Sequence, residues 1–213
     1  MKKINRILTY LLILIVFSPA LVYTKVTSKE VKNSDGTLAK VFSRDSKEIA
    51  REIRSRDGKI IKTIGIIPDG IVKEFYESGK LKAEANYRNG KLDGASKFYY
   101  ESGVPRKESN YKDGKLDGKS RVYYTTGKLG GEWNYKDGKM EGITKLYWEN
   151  GNIKAERHFK NGKQDGVSKR YYNIGGLRYK IHFENGREVS RETYDRRGNI
   201  VVDPNRPVPG NVY

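Results

Sequence analysis

His158 and His182 are the chain's two histidines and stand 24 residues apart, which raises the question of a metal site. The same position in earlier units carries Asn86, Asn110 and Asn134, so one repeated place is filled by Asn or His. Equivalent strands of a β-meander lie about 9–10 Å apart, whereas zinc sits about 2 Å from each ligand nitrogen. The two histidines are therefore read as rungs of a structural ladder, and neither metal nor other cofactor is expected. No HExxH, GxSxG or phosphate-loop pattern occurs. Glu84, Glu108, Glu132 and Glu156 recur in step with Lys73, Lys97, Arg121 and Lys145, a pattern of structural ion pairs and not of an acid–base couple. The chain reads as a non-enzyme.

Binding chemistry remains. Cations recur at Lys91, Lys115, Lys139, Lys163 and Arg187, and again at Arg88, Lys112, Lys136 and Lys160. A tyrosine column, Tyr99, Tyr123, Tyr147 and Tyr171, continues Phe75 and is flanked by Lys82, Arg106, Lys154 and Arg178. Aromatic rings bracketed by cations suit an anionic partner: a lipid headgroup, a cell-wall polymer, lipopolysaccharide or an acidic protein. Two acidic columns, the glutamates above and Asp93, Asp117, Glu141 and Asp165, partly neutralise this face. The simpler reading of the same residues is a solvated face whose charges keep sheet edges from pairing.

Glycine sets the frame that would position these groups. Gly70, Gly94, Gly118, Gly142 and Gly166 are spaced by 24, as are Gly79, Gly103, Gly127, Gly151 and Gly175, and Gly90, Gly114, Gly138, Gly162 and Gly186. Three series with one period define a repeat architecture. Within a unit, short aromatic-rich runs alternate with Ser-Gly, Asn-Gly or Asp-Gly pairs, which are hairpin signals because these residues accept positive φ. The expected fold is all-β: an elongated single-layer antiparallel meander of tandem 24-residue hairpins, with Gly79, Gly103, Gly127, Gly151 and Gly175 in one row of turns and the Gly90 series in the other.

A symmetric turn at Ser78-Gly79 places Lys73 opposite Glu84, and the same register gives Lys97–Glu108, Arg121–Glu132 and Lys145–Glu156. The fifth unit sets Lys169 against Lys180, which predicts repulsion, a slipped register or an intervening acid. Side chains alternate along a strand, so one face carries Tyr100, Tyr124, Trp148 and Tyr172, a second ring column of Tyr87, Tyr111, Tyr135, Phe159 and Phe183, the apolar Leu81, Leu129, Ile153 and Leu177, and the glycines of the Gly94 series. That face is read as structural, since ring columns beside small residues let a thin sheet bury area at about 25 cal/mol per Å².

Composition agrees: of 213 residues 36% are hydrophobic and 32% charged, with 23 glycines and 16 tyrosines, too polar for a large core yet too aromatic for disorder. The lack of cysteine excludes disulfides, a zinc–thiolate site and a lipidated N-terminal cysteine. Residues 1–20 join a basic start (Lys2, Lys3, Arg6), an apolar run over 7–17 and small residues at a cleavage position, the pattern of a signal peptide; a membrane anchor over 7–23 is the alternative. Either reading implies export to the periplasm, the envelope or the medium. Export disfavours nucleic acid as partner. The formal charge of +17 loses Lys2, Lys3 and Arg6 on cleavage and stays at +14.

The remaining boundaries are 21–69, an extension with degenerate repeats at Asp35-Gly36 and Asp57-Gly58; 70–189, five repeats; 190–202, a C-terminal half repeat; and 203–213, a proline-containing flexible tail. Residues 45–56 carry Ile49 and Ile53 at helical spacing and admit a short helix as an alternative.

The recurring x-G-x-x-K-x-Y-Y-E-x-G-K-L-K-x-E-x-x-Y-K-D-G-K, best matched at 94–115, 118–139 and 142–163, resembles the variant MORN repeat. It is also similar to the YwqK-type antitoxin families built from such repeats. The resemblance covers about 70–198. It implies a single-layer sheet of hairpins, a role in protein or membrane-surface binding and no catalytic residues, with neutralisation of a cognate toxin as the alternative role.

Overall fold

The computed structural model describes residues 25–201; the expected signal segment and the tail over 203–213 lie outside the described residues. Among the described residues there is no helix. One sheet contains β1 (Val26–Lys32), β2 (Leu38–Arg44), β3 (Lys47–Arg54), β4 (Ile60–Gly65), β5 (Gly70–Phe75), β6 (Leu81–Arg88), β7 (Lys91–Tyr99), β8 (Pro105–Lys112), β9 (Lys115–Tyr123) and β10 (Leu129–Lys136). It continues through β11 (Lys139–Met140), β12 (Gly142–Tyr147), β13 (Ile153–Lys160), β14 (Lys163–Gln164), β15 (Gly166–Tyr171), β16 (Leu177–Glu184) and β17 (Arg187–Thr193). β11 with β12, and β14 with β15, are each one strand line interrupted by a single residue. The helical alternative for 45–56 is overturned: β3 runs through Ile49 and Ile53 and pairs on both sides.

From β5 onward the sheet is the expected antiparallel meander. The N-terminal part departs from it. β1 pairs antiparallel with β2 but parallel with β5, so the spatial order starts β4-β3-β2-β1-β5. In a flat sheet β4 and β5 would stand four strand spacings, about 19 Å, apart. Residues 66–69 link them and reach only about 17 Å at full stretch, so the sheet must curl. The curl brings Phe42 of β2 against Tyr87 of β6, edge to face at 5.6 Å, with Val26, Ala50, Ile67 and Val72 completing the apolar cluster. Phe42 is wholly buried. The ring-bearing face is thus the inner face.

Along the repeats, the register matches the symmetric-turn expectation: Lys73↔Glu84, Lys97↔Glu108, Arg121↔Glu132, Lys145↔Glu156 and Lys169↔Lys180. The glycines of the Gly94 series lie opposite rings, Gly94 facing Tyr111, Gly118 facing Tyr135, Gly142 facing Phe159 and Gly166 facing Phe183. Gly94 has φ of 102°, a conformation that an L side chain seldom adopts, where two residues' worth of extra chain bulges opposite Asn86. Small side chains fill the space between ring columns: Ser96, Ser109, Ser120, Thr144, Ala155 and Ser168 are all buried. Ser109 and Ser120, directly paired, satisfy each other by a 2.8 Å hydrogen bond.

Two kinds of turn alternate, one on each rim. At the wide rim, Gly79 donates to the Tyr76 carbonyl and Tyr76 to that of Lys80, and this pattern recurs at Gly103, Gly127, Gly151 and Gly175. Neighbouring wide turns are tied by phenols: the hydroxyls of Tyr76, Tyr100, Tyr124 and Tyr172 donate to the carbonyls of Tyr99, Tyr123, Tyr147 and Tyr194 at 2.6–2.8 Å. Trp148 interrupts the column, and its buried indole Nε1 finds no acceptor. Asn150 and Asn152 take over the tie, each donating to the Asn173 carbonyl. A buried unsatisfied donor costs about 1–3 kcal/mol. Trp148→Tyr, which restores the phenol of the other units, should therefore raise stability by about 1 kcal/mol in urea unfolding, after loss of the Lys154 ammonium stacked 4.5 Å from the indole. An unchanged or lower midpoint would contradict this account of the column.

Candidate functional site

The opposite rim consists of two-residue Asx-Gly turns. Asn89 and Gly90 have φ of 49° and 72°, Asp113 and Gly114 have 50° and 82°, and the sign repeats at Gly138, Gly162 and Gly186. Positive φ at both positions is the geometry whose twist matches a hairpin. It also turns both amides outward, where the preceding unit receives them. Gly114 N donates to the Leu92 carbonyl, Gly138 N to Leu116, Gly162 N to Met140 and Gly186 N to Gln164, at 2.7–2.8 Å. Asn89 N donates to the carboxylate of Asp69, Asp113 N to Asp93, Asp137 N to Asp117 and Asn161 N to Glu141, at 2.7–3.3 Å. Asp93, Asp117 and Glu141 of the second acidic column are thus turn caps, a role that sequence patterning did not expose.

The rim cations flank these turns in facing pairs: Arg88 with Lys91, Lys112 with Lys115, Lys136 with Lys139 and Lys160 with Lys163, while Arg187 faces Glu184. All nine are exposed. The stems of Lys91, Lys115, Lys139 and Lys163 lie against the glycine of the next turn, 3.7–3.8 Å from the place its Cβ would occupy. Each lysine therefore combines a packed stem with a free ammonium.

The tyrosines expected on the same face stand at its far end from these cations. Lys91 and Tyr99 sit at opposite ends of β7, eight residues or about 26 Å apart along the strand. The phenols of Tyr99, Tyr123 and Tyr171 are spent on Glu84, Glu108 and Glu156, at 2.9–3.2 Å; Tyr147 makes no such bond. The flanking cations also move. Lys82, Arg106, Lys154 and Arg178 are the extra residues of the bulges where the register shifts beside each wide turn, and a bulge re-aims its side chain. Lys82 bonds Glu74 at 2.6 Å, Arg106 lies over Phe98, Lys154 over Trp148 and Arg178 over Tyr172. The rim cations and the tyrosines therefore do not form one cation–aromatic site.

Between the two rims the outer face carries a row of alternating charge. Each glutamate has a cation on either side: Glu84 lies between Lys73 and Lys97, Glu108 between Lys97 and Arg121. Side-chain separations of 3.6–3.8 Å recur at Lys73–Glu84, Lys97–Glu108, Arg121–Glu132 and Lys145–Glu156. At Lys169↔Lys180 the register does not slip. Lys169 has Glu156 on its other side, and Lys180 bonds Glu192 at 2.9 Å.

The Asn/His position belongs to the bulges on the narrow-rim side. Asn86, Asn110 and Asn134 donate to the carbonyls of Ala95, Lys119 and Ile143, and His158 takes the same place against Gly166. Among the described residues no group of three metal-ligating side chains comes together.

A one-layer sheet clamped at both rims by bonds between successive 24-residue hairpins defines a solenoid-like β-repeat protein. The MORN repeat variant family matches residues 68–89, 92–113, 116–137, 140–161 and 164–185. The chain belongs to that family. A comparison with curated proteins gave no match. Among solved structures the chain is similar to the "Crystal structure of GtfA/B complex bound to UDP and GlcNAc", at 13% identity and a TM-score of 0.22 over 53% of this chain and 24% of that one.

Burial, then the hydrogen bond and charge of Glu84, push the Tyr99 phenol up to about 12. Burial and the Glu108 bond raise Tyr123, and burial and Glu156 raise Tyr171. A raised phenol favours the folded state at all pH below its ordinary value of about 10, and that contribution is lost as pH climbs through about 12. Phenolate absorbance at 295 nm should therefore show a late-ionising group, with Tyr99→Phe removing one late phenol. Uniform ionisation of all 16 tyrosines near pH 10 would count against these bonds.

Proposed function

We propose that this protein is a non-catalytic interaction module that presents the Asx-Gly rim to an anionic envelope surface or polymer. The observation that supports it is the exposed cation pair on four successive turns, held at fixed spacing by amide bonds to the preceding unit. The carboxylates of Asp93, Asp117 and Glu141 turn in toward those amides; Asp93 also pairs with Arg88 at 3.7 Å, and the lysine ammonium groups are left outermost. Asp113 and Asp137 offset the charge at two turn tips, whereas Asn89 and Asn161 leave theirs positive. Weak contacts repeated along a rigid edge add by multivalency. The signal-like residues 1–20 support an exported, envelope-facing setting.

A lysine beside an anionic surface is worth about 1 kcal/mol. Reversing Lys115, Lys139 and Lys163 to Glu together should weaken binding to phosphatidylglycerol vesicles or an anionic wall polymer at least roughly 100-fold, and binding to the unaltered protein should fall steeply with salt. Unchanged vesicle and polymer binding would refute the rim. A single saturable 1:1 protein partner, insensitive to salt and to the triple reversal, would instead favour the antitoxin role.

A further inference from the structure

Arg157 and Arg170 stand out from the repeat. The places equivalent to Arg170 hold Glu74, Phe98, Val122 and Leu146, and those equivalent to Arg157 hold Ala85, Ser109, Trp133 and Ile181. Only in the fourth and fifth units do two guanidiniums replace small or apolar inner-face residues. The pairing sets Arg170 opposite Ala155 and Arg157 opposite Thr144, so the two arginines are diagonal neighbours on adjoining strand lines, about 7–8 Å apart at Cα and within reach of each other's long side chains. They lie on the inner face beside the buried Thr144, Ala155 and Ser168, with Arg157 half-buried and Arg170 exposed.

Like charges on neighbouring strands destabilise each other unless a carboxylate lies between them. Among the described residues neither arginine has one within 4 Å, whereas Arg191 nearby is held by Glu188. Burial, and next the charge of Arg170, lower the pKa of Arg157. Tyr179, opposite Arg170, is itself lined by the guanidiniums of Arg178 and Arg191 at 5.0 and 5.3 Å.

We propose that Arg157 and Arg170 form an oxyanion site on the inner face that takes side-chain carboxylates of an acidic peptide segment. Two planar forks match carboxylates in bidentate fashion, and the partial burial of Arg157 strengthens the attraction there. Arg170 and Arg178 both neighbour Tyr179, a local run of positive charge that an acidic peptide complements. This site is separate from the rim cations and does not depend on them.

The test uses the full chain with a deca-glutamate peptide, inorganic phosphate and phosphatidylglycerol vesicles as probes. Arg157→Ser with Arg170→Leu installs residues that other units carry at these places, so folding should persist. Deca-glutamate affinity should drop at least tenfold, while circular dichroism and the urea midpoint stay level or improve. Arg157→Lys with Arg170→Lys keeps both charges but loses the forks and should fall in between; it carries the test if the first variant unfolds. The Lys115, Lys139 and Lys163 reversal should alter peptide affinity less than threefold. Peptide binding indifferent to both arginine variants, or an arginine-dependent response to phosphate or vesicles without any to peptide, would overturn the assignment.

Discussion

A sheet with a single layer has no second layer to shed water against, so each hairpin must be fixed to the next by something other than a common core. Here that something is the amides of the Asx-Gly turns, both of them at the turns of Gly114, Gly138 and Gly162 and one at those of Gly90 and Gly186. Because both turn residues adopt positive φ, the two N–H groups point out of their own hairpin and into the preceding one. There the Asp93-type carboxylate and the Leu92-type carbonyl receive them. At the other rim, phenols of the Tyr100 column do the same work in the opposite sense, reaching forward to the next unit's carbonyl. The strands are clamped at both ends, and the serine- and alanine-filled rows between ring columns are buried because the clamps hold those columns in line.

The outer-face charge row illustrates what the clamps can override. From Lys73 to Glu156 the signs alternate strand by strand; Lys169 and Lys180 then break the alternation before Glu192 resumes it. Reversing either lysine alone would move the fault to Glu156 or Glu192 instead of removing it. A cross-strand ion pair is worth only about 0.2–1 kcal/mol, so one repulsive rung cannot shift a register that the Gly166–Phe183 contact and the turn bonds also fix. The fault stays, with Glu156 and Glu192 on its two sides, on the outer face of the fifth unit, whose inner face carries Arg170.

Much of this was legible in the sequence. The 24-residue glycine series gave both turn rows, and one symmetric turn was enough to set the rungs, since a strand's alternation leaves no freedom once a turn is placed. What remained hidden has two physical causes. Bulges break the alternation locally, so Lys82, Arg106, Lys154 and Arg178, assigned by parity to the tyrosine face, swing toward Glu74 and the rings of Phe98, Trp148 and Tyr172. The parallel pairing of β1 with β5 is a contact between segments more than 40 residues apart, and no local signal announces it; the short link over 66–69 was the available clue, since its reach limits how flat the sheet can be.

The position of the anion-binding candidates follows from the same distinction between what repeats and what departs. Groups recurring in most units, such as the Glu84 column, the Asp93 column and the Tyr99 phenols, have neighbours that recur with them, and the structure joins most of them into ladders. Their charges and hydrogen bonds are largely satisfied before any partner arrives. The rim lysines recur too, but only their stems have a packing role; the ammonium groups are left over. Arg157 and Arg170 break the pattern, and among the described residues no neighbouring unit places a carboxylate against them. In a solenoid of near-identical units, unsatisfied chemistry concentrates at such departures, and a partner's carboxylate can supply there what the ladder supplies everywhere else.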